Sequence, residues 1–259
     1  MLVLGRLHLI LIVAFLYLPI AIMAAMAFNA SPLYALPFEF STQWFTALAG
    51  NEKLLAATRN SVAVAIVTSV LATLIGTLAA LALSRRQFRG RSLLQILLLP
   101  PIAIPWLITG TAMLVFFFWT GIGRGLHSMI IGHVALAIPY VVIVVGTGLQ
   151  TLPEELEEAA MSLGSTPLNA FFKITLPLLA PSLVAAALFA FAVSLDQFVV
   201  SYFLATPGVT TLPVEIYSAI RKGFTPEINA ISTILLAVSM ALVLAFAWLT
   251  RMGGLGERR

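Results

Sequence analysis

A single aspartate lies inside a long apolar stretch of this sequence. Asp196 is the only Asp of the chain and stands within FAFAVSLDQFVVSYF. A charged side chain inside a membrane span is costly, so it predicts a functional site. Gln197, Phe198 and Tyr202 follow it, and a carboxylate beside aromatic rings can bind an organic cation, which makes all four residues candidates for a solute path. The structural alternative is that Asp196 caps a broken helix or pairs with a base of a second subunit.

A long polar segment, residues 151–177, carries the second group of informative residues. Four carboxylates lie near its start: Glu154, Glu155, Glu157 and Glu158. They fall near the positive end of a predicted helix dipole, where Thr151 and Glu154 fit a capping box and Pro153 falls in the first turn. Acids this close repel one another, so a basic partner or solvent must neutralise them.

The same segment predicts a short helix-turn-helix outside the bilayer. Gly164 is a natural left-handed stop for the first helix. Thr166 and Pro167 fit the cap and the first residue of a second helix, which we expect Pro177 to end. Apolar runs long enough to cross a membrane flank the pair, so it would connect two spans.

Composition indicates that the rest of the chain is membrane-spanning α-helix. Of 259 residues, 61% are hydrophobic and 9% are charged, and the mean hydropathy is +1.06. Apolar runs long enough for a span occur near residues 8–28, 60–83, 93–119, 129–148, 178–204 and 228–249. The first could be a signal peptide, but its length and Pro19 favour a retained span. Pro100, Pro101 and Pro105 predict a kink in the third.

The basic residues predict the topology. With the N-terminus in the cytoplasm, nine Lys and Arg residues fall on the cytoplasmic side and five on the other. Cytoplasmic loops are enriched in these residues, so both termini and the polar segment are expected inside the cell. We divide the chain into an N-terminal helix with its periplasmic connection (1–59), a five-helix core (60–250) and a cytoplasmic tail (251–259).

Several classes of activity lack their sequence signals. The chain has no Cys, no G-x-x-x-x-G-K-[ST] and no H-E-x-x-H, so we expect no catalytic site, metal or cofactor in it. The net charge of +4 is explained by basic cytoplasmic loops rather than by nucleic-acid binding. His127 and His133 flank the start of the fourth span, where we expect a packing or boundary role.

The spacing within the polar segment resembles a family signature. The pattern E-A-A-x3-G-x9-I-x-L-P is matched at every fixed position, by Glu158, Ala159, Ala160, Gly164, Ile174, Leu176 and Pro177. This is the EAA loop of bacterial ABC-importer permeases. The resemblance implies an all-α, six-helix, type-I importer permease fold in the inner membrane. It also implies that residues 154–172 form a coupling loop that docks on a separate ATPase, which binds ATP and Mg²⁺.

The segment SLDQFVVSYF and residues 207–232 narrow the resemblance to the second permease subunit of spermidine/putrescine importers. The implied partners are a homologous permease, two cytoplasmic ATPases and an extracytoplasmic solute-binding protein. Relatives typically carry S-L-D-D-F, whereas Gln197 replaces the second acid here. The resemblance implies a polyamine or related amine as the solute, and the loss of one negative charge keeps opines, amino-acid-like compounds and other small solutes as alternatives.

Two other functions fit the same residues. A secondary transporter would use an ion gradient and no ATPase. Asp196 alone offers few intramembrane charges for coupling solute movement to such a gradient. A membrane scaffold would bind a partner through the four glutamates of the polar segment without moving solute. An ATPase that co-purifies with the chain would favour the importer.

Overall fold

Helices make up nearly all of the regular structure that the computed structural model of this chain describes. The described residues are 2–32, 36–85, 87–98, 100–223 and 226–255. Within these ranges there is no β-strand, and two isolated bridges pair Asn29 with Phe40 and Thr206 with Val209.

Thirteen α-helices follow one another along the described residues. Their bounds are α1 (Leu2–Met26), α2 (Gln43–Gly50), α3 (Glu52–Arg85), α4 (Arg91–Leu97), α5 (Pro100–Ala103), α6 (Trp106–Trp119), α7 (Leu126–Gln150), α8 (Glu155–Ser162), α9 (Pro167–Ala170), α10 (Leu176–Leu195), α11 (Phe198–Leu204), α12 (Leu212–Lys222) and α13 (Glu227–Leu255). A π-helical turn, Phe171–Thr175, joins α9 to α10. Of the predicted cytoplasmic tail, residues 256–259 lie outside the described residues.

Four helices in the described ranges are long and apolar enough to cross a membrane. They are Gly5–Met26, Glu52–Arg85, Leu126–Gln150 and Pro167–Leu195. The pair Arg91–Ala103 and Trp106–Trp119 forms a fifth if it counts as one bent span. The sixth predicted span falls in α13, whose described apolar part, Glu227–Ala241, is shorter than a full span. The predicted all-α membrane fold is confirmed, with four or five spans described rather than six.

The third predicted span is broken rather than smoothly kinked. Its two halves, Arg91–Ala103 and Trp106–Trp119, meet at an angle of 110°. Pro100 begins α5, and Pro105 precedes α6 with φ −54° and ψ 133°, an extended conformation. Proline lacks an N–H and disfavours a helical conformation in the residue before it, so the helix stops and restarts at these positions.

The chain divides into two compact units. In the first, Met1–Ala56 with Glu215–Arg259, α13 packs against α1 and α2. After α1 the chain turns around Asn29, whose side-chain oxygen accepts a hydrogen bond from the backbone N–H of Glu39 at 3.1 Å. Trp44 Nε1 donates to the backbone carbonyl of the same Asn at 2.7 Å. These bonds tie the start of α2 to the chain that leaves α1.

The second unit, Ala57–Val214, carries both candidate sites. Its larger core cluster joins α3, α7 and α10 through Ala72, Ala80, Val134, Ala137, Val141, Val145, Leu149, Leu179, Ala186 and Ala190. Small side chains let helices approach closely in lipid, where apolar surroundings supply little driving force for association. Ser69 Oγ of α3 adds a polar tie, because it donates to the carbonyl of Ala187 in α10 at 2.6 Å.

A smaller core cluster lies where α11 packs against α6 and α7. It contains Val64, Phe117, Met129, Leu136, Val200 and Leu204. Gly132 permits this contact, because a Cβ there would lie 2.9 Å from Val200 Cγ1 and 3.0 Å from Met113 Sδ. The short α11 is therefore held by packing on its neighbours.

Candidate functional site

The acidic loop, residues 154–172, folds around a left-handed turn. α8 ends at Ser162, and Gly164 follows with φ +91°. Its N–H donates to the carbonyl of Met161 at 3.0 Å, and that of Ser165 donates to Ala160 at 3.0 Å. These two bonds form a Schellman motif. The predicted helix stop at Gly164 is confirmed.

The second helix of the loop starts as predicted but does not end at Pro177. Thr166 Oγ1 accepts a hydrogen bond from the N–H of Asn169 at 3.3 Å, and Pro167 is the first residue of α9. The π-turn then leads directly into α10, so the prediction that Pro177 ends this helix is wrong. The N–H of Leu176 bonds to the carbonyl of Phe171, five residues back, and this wider turn carries the helix past a residue without an N–H.

The predicted capping box at the start of the loop is also wrong. Thr151 Oγ1 donates to the carbonyl of Gly148 at 2.7 Å and so completes the end of α7 instead. Glu154 is the N-cap residue of α8, and its side chain makes no capping hydrogen bond. The carboxylate of Glu154 bonds elsewhere.

Two polar contacts anchor the acidic loop to the spans. Arg85 Nη1 at the end of α3 lies 3.1 Å from Glu154 Oε1. Glu157 Oε1 accepts a hydrogen bond from the hydroxyl of Thr175, in the turn that precedes α10. A cavity of about 390 Å³ lies between the end of α3 and the loop, and it is lined in part by Arg85, Glu157 and Phe171. The loop is therefore bonded to two spans, and a cavity remains where it meets the end of α3.

The outer face of the acidic loop is exposed. Glu158, Ala159 and Gly164 are exposed, and Ala160 is half-buried. Leu163 is 89% exposed and would be costly to leave in water. Of the remaining signature residues, Ile174 and Leu176 are half-buried and Pro177 is exposed. Acids and apolar side chains together form a surface suited to another protein.

The fifth predicted span is interrupted at Asp196 and Gln197, which we call the helix break. Asp196 is the C-cap residue of α10, and Gln197 follows with ψ 93°, outside helical geometry. Asp196 is exposed. Gln197 is 1% exposed, and neither polar atom of its amide has a hydrogen-bond partner among the residues that the structure describes. The adjacent candidates Asp196 and Gln197 thus lie in different environments, since the first is exposed and the second is buried.

The two aromatic candidates lie on consecutive turns of α11. The ring centroids of Phe198 and Tyr202 are 5.4 Å apart, with an interplanar angle of 36°. Tyr202 is 44% exposed and Phe198 is half-buried. An exposed carboxylate and an exposed tyrosine therefore accompany the helix break, and this combination can bind an organic cation.

α10 separates the acidic loop from the helix break. Its 20 residues, Leu176–Leu195, correspond to a rise of about 30 Å, the thickness of the hydrocarbon core of a bilayer. The two candidate sites therefore lie at opposite ends of one span.

Two contributors to these sites were missed in the sequence. His133, expected to have a packing or boundary role, lies 2.8 Å through Nδ1 from Ser194 Oγ and 3.1 Å through Nε2 from Ser201 Oγ. Arg85, one of several bases in a basic loop, pairs with Glu154. No local spacing links either residue to its partner. Over the described residues there is also no group of three His, Cys, Asp or Glu side chains that could hold a metal ion.

Long apolar helices joined by an exposed loop with the EAA spacing define a class of membrane permease. Residues 72–252 match the family described as the binding-protein-dependent transport system inner membrane component, and the chain belongs to that family. It is thus an inner membrane component of a transport system.

Named relatives match over most of the chain. The putrescine transport system permease protein PotI of Escherichia coli K12 is 36% identical over 242 residues, covering 90% of this chain and 85% of PotI. The spermidine/putrescine transport system permease protein PotC of the same strain is 36% identical over 240 residues, covering 93% and 91%. The predicted resemblance to spermidine/putrescine permeases is confirmed.

Solved structures share the fold at low identity. A bacterial ABC transporter involved in import of the acidic polysaccharide alginate matches with a TM-score of 0.74 at 19% identity, covering 97% of this chain and 95% of its own. The inward-facing MetNI methionine ABC transporter matches with a TM-score of 0.65 at 22% identity, covering 77% and 95%. At these identities the likeness concerns the fold, and the predicted importer permease fold is confirmed.

Proposed function

We propose that this chain is the membrane-spanning subunit of an ATP-driven importer for a polyamine or related organic amine. The observation that carries the proposal is its 36% identity, over at least 90% of its length, to permeases named for putrescine and spermidine. It works beside a homologous permease, two cytoplasmic ATPases and an extracytoplasmic solute-binding protein, with both of its termini in the cytoplasm. ATP and Mg²⁺ are bound by the ATPases, since this sequence has no P-loop.

The acidic loop is the proposed docking element for an ATPase. Its exposed acids offer charge for a basic cleft, and Leu163 and Leu168, 89% and 70% exposed, offer apolar surface that a partner would cover. Ala159 and Gly164 let the partner backbone approach closely. Because the acidic loop is already folded, it requires little ordering when the ATPase binds.

The anchors of the acidic loop give the docked ATPase a route to the spans. Because Glu154 bonds to α3 and Glu157 bonds to the turn before α10, a displacement of the loop pulls on both helices. α10 carries that displacement to the helix break at its far end. ATPase closure would in this way alter access to Asp196.

Docking is tested by reversing one exposed charge in the reconstituted complex. Glu158→Lys should abolish the stimulation of ATP hydrolysis by the loaded binding protein, because it opposes a basic cleft. Glu39→Lys is the matched control: it reverses another exposed glutamate, in the predicted periplasmic connection, and should leave co-purification of the ATPase unchanged, whereas Glu158→Lys should lower it. Normal coupled uptake in Glu158→Lys would remove the docking role.

The solute role of Asp196 is tested with variants that separate charge from shape. A hydrogen bond to a charged group contributes about 1.5–3 kcal/mol, so Asp196→Asn should lower the uptake of putrescine about tenfold or more, with a raised KM. Asp196→Glu keeps the charge and should retain more activity. An equal loss for a cationic and a neutral solute would instead indicate a structural role.

A further inference from the structure

His133 joins the two sides of the helix break. Its ring, in α7, is hydrogen-bonded to Ser194 in α10 and Ser201 in α11, an arrangement we call the histidine bridge. All three side chains are at most 4% exposed. A neutral imidazole has one donor and one acceptor, so one serine accepts from the ring while the other donates to it. One side chain therefore connects three helices.

The histidine bridge favours a bent fifth span over a straight one. Ser194 and Ser201 are seven residues apart, which is a rise of about 10.5 Å in a continuous α-helix. That rise is measured along the backbone, and two hydrogen bonds of 2.8 and 3.1 Å to one imidazole cover it only if both serine side chains point toward each other along the helix axis. A straight span therefore strains the histidine bridge, and the bridge favours the bent arrangement.

Local structure does little to hold the helix break. α11 has only seven residues, too few for a stable isolated helix. Gln197, its N-cap residue, makes no side-chain capping bond. The far end of α11 is tied by Gly125, whose N–H donates to the carbonyl of Leu204 at 3.1 Å. At the break itself, the restraint must come from tertiary contacts such as the histidine bridge.

We propose that His133 is a positioning residue that holds the helix break in its bent form. The bridge keeps the amide of Gln197 buried while the carboxylate of Asp196 is exposed. Release of either serine permits the span to straighten and brings the amide to the accessible surface. The presentation of Asp196 to solute rests on the proposed function, whereas the positioning of the break does not.

The absence of cysteine from the sequence makes a direct test possible. Gln197→Cys places the only thiol of this chain at the buried position of the break. It is labelled with a membrane-impermeant maleimide in the full transporter complex, with His133 or with His133→Phe. Phe keeps a planar ring but makes neither hydrogen bond. Labelling should be at least about fivefold faster in His133→Phe, because the loss of even one of the two hydrogen bonds, about 1 kcal/mol, shifts the population by that factor.

Two reference thiols set the scale of the labelling assay. Asp196→Cys is at the exposed position of the break and should react rapidly with either residue at position 133. Ala80→Cys lies at a buried position of α3, in the larger core cluster, and should stay unreactive with either residue at position 133. A similar acceleration at Ala80→Cys would show general loosening and overturn the positioning role, as would an unchanged rate at Gln197→Cys.

Serine variants cover the case in which His133→Phe fails to assemble. Ser201→Ala removes the bond to Nε2 without adding volume and should accelerate labelling of Gln197→Cys by itself. In the His133→Phe background it should add nothing, since the bond is already lost. If Ser201→Ala and His133→Phe accelerate the labelling of Gln197→Cys additively, the two residues do not act through one bridge.

Uptake measurements separate this proposal from the proposed function. If Asp196→Asn transports putrescine normally while His133→Phe still accelerates labelling, the solute role fails and the positioning role stands. If Asp196→Asn loses uptake while labelling ignores His133, the reverse holds.

Discussion

Replacement of Gly164 isolates the backbone requirement of the turn in the acidic loop. This residue has φ +91°, and a Cβ built on it would meet no other atom within 4 Å. Steric overlap with the surroundings is therefore absent in Gly164→Ala. The remaining penalty is that of a left-handed L-residue, about 1–2 kcal/mol. The variant can relieve this strain only by opening the turn between α8 and α9.

The size of the penalty sets the expected effect on partner binding. A change of about 1–2 kcal/mol alters an equilibrium constant about 5- to 30-fold. If the ATPase recognises the folded turn, its Kd for Gly164→Ala should rise by up to that factor. Gly164→Val should bind the ATPase more weakly still, because a β-branched residue at positive φ is a conformational outlier. Gly164→Asn should stay nearest to the natural chain, because Asn tolerates this conformation.

The assay is a titration of purified ATPase against the permease in lipid nanodiscs, with Kd as the readout. Gly146→Ala is the matched control: this glycine lies within α7, and its Cβ would also meet nothing within 4 Å. Ala is favoured over Gly inside a helix by about 0.5–1 kcal/mol, so Kd should not rise. Equal Kd values for Gly164→Ala and the natural chain would refute the requirement for a left-handed turn.

Three further predictions concern contacts within the folded chain. Arg85→Glu and Glu154→Arg should each lower coupled uptake severalfold, and the double exchange should restore it; because Glu154 is largely exposed, stability should change by less than about 1 kcal/mol in thermal unfolding. Thr166→Ala should destabilise the start of α9 by about 1 kcal/mol and Thr166→Ser should not, as hydrogen exchange at Asn169 would report. Gly132→Ala should lower the Tm, because its Cβ would lie 2.9 Å from Val200 Cγ1 and overpacking costs about 1–3 kcal/mol; a Tm unaffected by the substitution would show that α7 and α11 separate easily.

Features that depend on neighbouring residues were predictable. Gly164 and Thr166 act on backbone groups within a few positions, so their residue types indicate the turn and the cap. The same reasoning failed at Thr151, where α7 offered its hydroxyl a competing carbonyl acceptor. It failed at Pro177 because the preceding π-turn carries the helix past the missing N–H. In both cases two local arrangements were available, and the packed helices selected one.

The sequence by itself determined the membrane class, most of the apolar helices and the EAA spacing, because hydropathy and short-range backbone chemistry are written in consecutive residues. The tertiary structure alone decided which side chains meet. His133 lies 61 and 68 positions from its two serines, and Arg85 reaches Glu154 only because the end of α3 lies beside the start of the acidic loop. It also decided that Asp196 is exposed while Gln197 is buried. Such pairings follow from how helices pack, and helix packing depends on the complementarity of whole surfaces rather than on any local pattern.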